Sequence, residues 1–158
     1  MKKAILLLVF LISTAALTAQ EIAWMSMDQA LLAQQKMPKK IFMDVYTTWC
    51  GPCKLLDKNT FSNPDVIAYI SKHFYPVKFN AEGKDTIVYL GKTYRPTSPE
   101  PRRPHELAIE LLNGKLSYPS TIFLNGYDAA QNKFAFSLSA AGYLETQKIE
   151  PILIFILE

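Results

Sequence analysis

Only two cysteines and two histidines occur in the 158 residues. A zinc site wants four ligands, usually as two pairs at matched spacing. Cys50 and Cys53 form a single close pair, and His73 and His105 are isolated from it and from each other, so no metal is expected. A lone bridge across that pair would restrict the unfolded chain very little, which argues against a purely structural disulfide. Basic runs of the nucleic-acid-binding type are missing, and charge points to no polyanionic partner. There is no internal repeat. The apolar stretch at the N-terminus, Ala4 to Ile12, falls short of the ~20 residues that a membrane-spanning helix needs.

That stretch fits a secretory signal peptide instead. Lys2 and Lys3 make a basic start, and Ser13-Thr14-Ala15-Ala16-Leu17-Thr18-Ala19 supplies the small-residue end. Cleavage is expected after Ala19, although Leu17 is larger than the usual residue at the −3 position. Residues 1–19 are then the signal peptide, and 20–158 fit one domain with a single core. An uncleaved anchor is the alternative. No cysteine lies near the cleavage site, which excludes a lipid anchor on a new N-terminal cysteine. Losing Lys2 and Lys3 lowers the formal charge from +3 to +1, since no acidic residue goes with them. The expected location is the periplasm or cell envelope. An exported chain can use cysteines as staples, yet this one keeps only a pair poised to react with another thiol.

The pair sits in Trp49-Cys50-Gly51-Pro52-Cys53-Lys54, directly after an apolar run from Ile41 to Tyr46 that reads as a buried strand. If a helix opens there, Cys50 meets its unpaired N–H groups and the positive end of its dipole, which favour a thiolate. Pro52 suits a first helical turn because its missing N–H has no intrahelical partner to lose. Cys53 lies one turn on, on the same face, within reach of a small disulfide ring. Strand, tight turn and helix carrying Cys-x-x-Cys is the redox reading of that motif.

Ser26-Met27-Asp28-Gln29 has capping-box spacing and predicts a helix through Ala33. A strand over Ile41 to Thr47 and a helix from about Gly51 to Asn59 follow. Asn63-Pro64-Asp65 starts the next helix, with Val66, Ile67 and Ile70 inward, and Tyr75 to Asn80 is a second buried strand. Thr86 to Arg95 reads as two short strands about a Gly91-Lys92 turn. The segment from Pro96 to Pro104 has the four prolines and two arginines of a loop. A helix over His105 to Leu112, a strand over Tyr118 to Leu124, a turn at Asn125-Gly126 and a strand over Phe134 to Ala140 complete the pattern. The last helix is expected to begin at Pro151 and be short, since proline removes a donor. This alternation around a central mixed sheet is an α/β sandwich.

On these residues the chain resembles the thioredoxin family over most of its mature length. The resemblance implies a thioredoxin-like three-layer sandwich with an insertion at about 83–104. It implies Cys50 as nucleophile, exposed and acidic, and Cys53 as a shielded resolving thiol. Trp49, Gly51 and Pro52 shape the site. Asp44 stands where the family has a buried carboxylate, and Lys78 where many members place a lysine beside it. Pro119 matches the family's cis-proline, leaving the Tyr118 backbone to pair with an extended substrate. From the residues alone, Asp44 also reads as a strand-end carboxylate bound to backbone or to Lys78, and Pro119 as an ordinary trans proline. Trp24 reads as core, and His73 as solvent-facing near a helix end.

A narrower likeness, through Trp24, Lys39-Lys40 and Thr60-Phe61-Ser62-Asn63-Pro64-Asp65-Val66, is to exported proteins similar to the C-terminal domain of DsbD-type reductases. With the signal peptide and the thioredoxin-like Gly51-Pro52 pair, the expected protein is an exported protein-disulfide reductase, monomeric and without a cofactor. Its partners would be disulfide-containing exported proteins and a separate membrane donor of reducing equivalents. A binding or redox-sensing module built on the aromatic, proline-rich insertion is the rival reading, and a disulfide oxidase or isomerase is the third.

Overall fold

The computed structural model describes residues 21–157 apart from 129 and 132; the expected signal peptide lies outside them. Ser26 caps α1 (Met27–Lys36): its hydroxyl accepts from Gln29 N at 3.2 Å, and the Gln29 side chain accepts from Ser26 N at 2.9 Å. Two orphan donors of the first turn are thereby satisfied. Ser26→Ala is expected to cost about 1 kcal/mol, read as a lower urea midpoint with unchanged slope; an unmoved midpoint would deny the cap its role. Past α1, the buried Gln34 side chain accepts from Lys39 N at 2.6 Å and turns the chain into β1 (Lys40–Tyr46).

β1 is a central strand. It runs parallel to β2 (Phe74–Asn80) and antiparallel to β5 (Ser120–Asp128), and β6 (Lys133–Ala141) pairs antiparallel with β5, in the order β2-β1-β5-β6. The parallel pairing of β1 and β2 needs a long crossover, which α2 (Gly51–Asn59) and α3 (Pro64–His73) supply. Asn63 caps α3 by accepting from Asp65 N and Val66 N, ahead of Pro64 in its first turn. Covered on both faces, β1 is apolar almost throughout its interior, and Asp44 is the exception.

Successive β1 residues feed two cores. Ile41, Met43 and Val45 pack with residues of α1, of the hairpin β3 (Ile87–Tyr89) and β4 (Lys92–Tyr94), and of α4 (Glu106–Leu111). Phe42 packs with residues of α2, α3 and α5 (Thr146–Leu157). Its ring meets Phe61 at 5.7 Å and Phe123 at 5.5 Å, both edge-on. By the strand period of two, Asp44 shares the face of Phe42. The result is the three-layer, thioredoxin-like α/β sandwich, with a mixed sheet between two sets of helices.

Three local expectations are corrected. Asn125-Gly126 is no hairpin turn: β5 runs through it to Asp128, and the pairs on either side of Gly126 keep one register against β6. Gly126 has φ +66°, and a Cβ there would lie 3.0 Å from the Ala135 Cβ, so glycine serves a left-handed residue and a close strand approach. Second, α5 begins at Thr146 and carries Pro151 inside it. Ile149 and Leu153, at 0% and 1% exposure, bury in the core on either side of that proline, and this packing offsets the missing hydrogen bond. Third, the 83–104 hairpin turns on Leu90 and Gly91, at φ 52° and 78°, one residue earlier than expected. The pair of positive φ values suits a two-residue turn between twisted strands.

Candidate active site

Cys50 is the N-cap of α2, and its Sγ accepts from Cys53 N at 3.1 Å. The two sulfurs form a disulfide of 2.03 Å with a Cα–Cα distance of 5.3 Å. No acidic residue stands in the first turn of α2 to compete for its N–H groups, so the helix terminus is free to stabilise a Cys50 thiolate after reduction. The expected contrast in exposure is absent from this oxidised form: Cys50 and Cys53 are each 2% exposed. The sulfur–sulfur bond and the contact to Cys53 N hold Cys50 Sγ against the first helical turn. Pro52 lies in that turn, and a Cβ added at Gly51 would meet nothing within 4 Å, so the surface beside the cysteines stays uncluttered.

Asp44 is fully buried and is the direct β1 partner of Lys78 on β2. Its Oδ2 is ion-paired with Lys78 Nζ at 2.6 Å, and neither carboxylate oxygen has a well-formed hydrogen bond among the described residues. Burial pushes the Asp44 carboxyl up to about 6; Lys78 pulls the other way and offsets only part of that rise. The buried hydroxyls of Thr47 and Thr121 also lack partners among the described residues, and Thr121 is directly opposite Asp44 on β5. A carboxyl titrating near neutrality is suited to take and return a proton.

Lys78 is not given to Asp44 alone. Its Nζ also contacts Asp57 Oδ1 on α2, and it lies over the rings of Trp24, Tyr46 and Phe61 at 4.9, 5.2 and 5.4 Å. Burial lowers the ammonium pKa, but the two carboxylates outweigh it and the net direction is up. Asp57 was missed by the sequence reading. The signal was there: Asp57 follows Cys53 by four residues, which puts it on the same face of α2. Through Lys78 it ties the Asp44 carboxylate to the active-site helix.

On the outer side, the Tyr118–Pro119 peptide is cis. Among the described residues Tyr118 makes no backbone hydrogen bond, since the β5 ladder begins at Ser120. Trp49 is 51% exposed and meets the Tyr118 ring edge-on at 6.3 Å. Trp49 Nε1 donates to both carboxylate oxygens of Glu82 at 3.0 Å. Glu82 was likewise missed, and no local pattern announces it, because only the return of β2 brings it beside Trp49.

The remaining sequence candidates serve the fold. His105, fully buried, caps α4 by accepting from Leu107 N at Nδ1, and its Nε2 donates to Asp85 O at 2.9 Å. His73 ends α3 against the Tyr69 ring. Trp24 packs on Phe42 and Phe61, as expected of a core residue, yet also roofs Lys78. Tyr89 and Tyr94 of the insertion are buried in the core, and Tyr94 donates to Glu110 at 2.6 Å. The insertion's two tyrosines therefore hold it to the body, and no aromatic of residues 83–104 is left to form a docking surface. Among the described residues no cluster of His, Cys, Asp and Glu is arranged to hold a metal, and no helix is long and apolar enough to cross a membrane.

No curated protein sequence matches the chain significantly. Several solved structures share its fold. A thioredoxin from Thermus thermophilus superposes with a TM-score of 0.61 at 15% identity, over 87% of this chain and 88% of that one. A disulphide isomerase from Xylella fastidiosa Temecula1 gives 0.52 at 21%, over 83% and 88%. An oxidoreductase called DsbH gives 0.54 at 14%, over 90% and 89%. At such identities these likenesses speak for the fold alone. The thioredoxin-like family profile matches residues 23–125, spanning the cysteine motif, Asp44, Lys78 and Pro119. A thioredoxin-like sandwich carrying a Cys-x-x-Cys disulfide at a helix N-terminus is built for thiol–disulfide redox chemistry, and the chain belongs to the thioredoxin-like family.

Proposed function

We propose that the protein is an exported thiol–disulfide oxidoreductase that works as a reductant of protein disulfides. The observation that carries the reading is the Cys50–Cys53 disulfide at the start of α2, backed by a buried carboxyl that titrates at about 6. In the reduced protein the Cys50 thiolate attacks one sulfur of a substrate disulfide. A mixed disulfide forms and one substrate thiolate leaves. Asp44 takes the Cys53 proton, Cys53 attacks Cys50 Sγ, and the second substrate thiolate leaves. Two electrons pass to the substrate, and the protein is left oxidised. The unbonded Tyr118 backbone beside Pro119 offers an extended substrate segment a strand-like partner.

The reducing direction rests on the Gly51-Pro52 pair between the cysteines, as in thioredoxins. Export rests on the N-terminal Lys2-Lys3, the apolar stretch and Ala19. Outside the cytoplasm no soluble thiol pool re-reduces the pair, so electrons must come by thiol exchange from a separate membrane protein. This agrees with the likeness to DsbD-type domains. Substrates are disulfide-containing exported proteins, and the protein acts as a monomer. The test is reduction of insulin disulfides by the pre-reduced mature protein, followed as precipitation of the freed B chain. Steady turnover with a thiol donor is expected; no turnover at any protein concentration would overturn the reading.

A further inference from the structure

The rim of the site carries a carboxylate, Glu82, that forms no ion pair among the described residues. Glu82 follows β2 and is held there by a tight turn: Glu82 N donates to Asn80 Oδ1 at 3.0 Å, and Gly83 N donates to Asn80 O at 2.9 Å. A Cβ at Gly83 would lie 3.1 Å from Asn80 O, so the turn leaves little room for any larger residue. Ala81, directly before it, is fully buried and donates to Tyr46 O at 2.8 Å. The backbone that carries the carboxylate is thus fixed in place.

What it meets there is the indole N–H of Trp49, the residue next to Cys50. Among the described residues no lysine, arginine or histidine forms an ion pair with it. One N–H shared between two oxygens leaves most of a carboxylate's acceptor sites open. Its field is felt across the site: the Tyr118 hydroxyl is pushed up first by burial and then by Glu82. Trp49 and Tyr118 form the aromatic shoulder beside the reactive disulfide, so a substrate approaching Cys50 passes this charge.

We propose that Glu82 is a specificity-determining residue: it favours disulfides that carry a cationic group beside the sulfur pair and disfavours anionic ones. The substrate class is then a disulfide flanked by lysine or arginine side chains, and small anionic disulfides are poor oxidants of the reduced protein. This rests on the reducing activity proposed above. The chemistry is unchanged: Cys50 forms the mixed disulfide, Cys53 closes the protein disulfide, and two substrate thiolates depart with the two electrons. Glu82 acts through charge alone, on the approach and on the mixed disulfide.

The test uses the pre-reduced full chain in single-turnover reactions with three disulfides: dicationic cystamine, neutral hydroxyethyl disulfide and anionic glutathione disulfide. Each rate is divided by the same protein's rate on the neutral compound, so changes in folding or general reactivity cancel. Wild type is expected to prefer cystamine to glutathione disulfide at low salt. The preference is expected to shrink at high salt, as the screening length falls from ~10 Å at 0.1 M to ~3 Å at 1 M. Glu82→Gln keeps an acceptor for Trp49 Nε1 and is expected to lower the cystamine-to-glutathione ratio roughly 3- to 10-fold. Glu82→Asp is expected to retain part of it. A cystamine-to-glutathione ratio left unchanged by Glu82→Gln, whether or not it depends on salt, with the neutral disulfide still reduced, would overturn this inference alone. Failure of wild type to reduce the neutral disulfide would overturn the reducing activity itself.

Discussion

Cys50→Ser is expected to abolish disulfide reduction, whereas Cys53→Ser is expected to complete the first attack and stop there. The two variants differ because exchange is sequential. Cys50, at the N-terminus of α2, is the sulfur stabilised as a thiolate. Without it no mixed disulfide forms. Without Cys53 the mixed disulfide has no internal thiolate to resolve it, and substrates stay attached through Cys50. On non-reducing gels of envelope extracts, Cys53→Ser should give defined, reductant-sensitive bands, including the reductant donor, and Cys50→Ser none. Insulin reduction should fall to background in both. Retained activity in Cys50→Ser would remove the nucleophile from the account. A Cys50→Ser, Cys53→Ser double variant that still supported function would favour the binding-module reading.

Asp44→Asn is expected to make the protein more stable and less active. In the fold the carboxyl titrates at about 6, against 3.8 as a free side chain, and burial is the main cause. The folded state therefore holds this proton more tightly than the unfolded chain does. The stability it contributes is full below pH ~4 and is lost as pH rises through ~6. The difference between 3.8 and about 6 corresponds to roughly 3 kcal/mol at neutral pH. Removing the ionisable group should recover about 1–3 kcal/mol at pH 7, since a buried amide still wants partners. Lys78 is not stranded by the change, because Asp57 continues to hold it. Urea midpoints measured from pH 4 to 8 should thus decline for wild type relative to Asp44→Asn, with the two converging at the acid end. The same variant loses the base for Cys53. Resolution of the mixed disulfide at neutral pH should slow about 10²-fold, and the wild-type rise in rate through pH ~6 should vanish. Identical stability profiles and identical resolution rates would sink the assignment.

The motif-bearing helix, Gly51–Asn59, was legible to the residue, because a capping cysteine, an early proline and a preceding apolar strand all point the same way. The α/β layering followed from the alternation of strand and helix patterns. What sequence did not disclose is non-local. Asn125-Gly126 carries the strongest short-range turn signal, yet the pairing of β5 with β6 continues through it, and the glycine answers to Ala135 across the ladder. Pro151 signals a helix start, but Ile149 and Leu153 bury on both sides of it, and tertiary packing overrides the local cost. Within the site, Cys50, Cys53, Asp44, Lys78, Trp49 and Tyr118–Pro119 came from motif and resemblance together. The structure brings Asp44 to Lys78, and Trp49 to Tyr118. Asp57 was available from helical spacing and was overlooked. Glu82 lies 33 residues from Trp49 along the chain, and no pattern of spacing reaches that far.

The proposed activity requires the Cys50/Cys53 couple to be a reductant. Its direct test is the equilibrium redox potential of the mature protein, measured against thiol buffers of known potential with the two states resolved by alkylation and mass. A value near ~−270 mV is expected, on the reducing side with thioredoxin. A value near ~−120 mV, where a strong disulfide-donating oxidase lies, would contradict it.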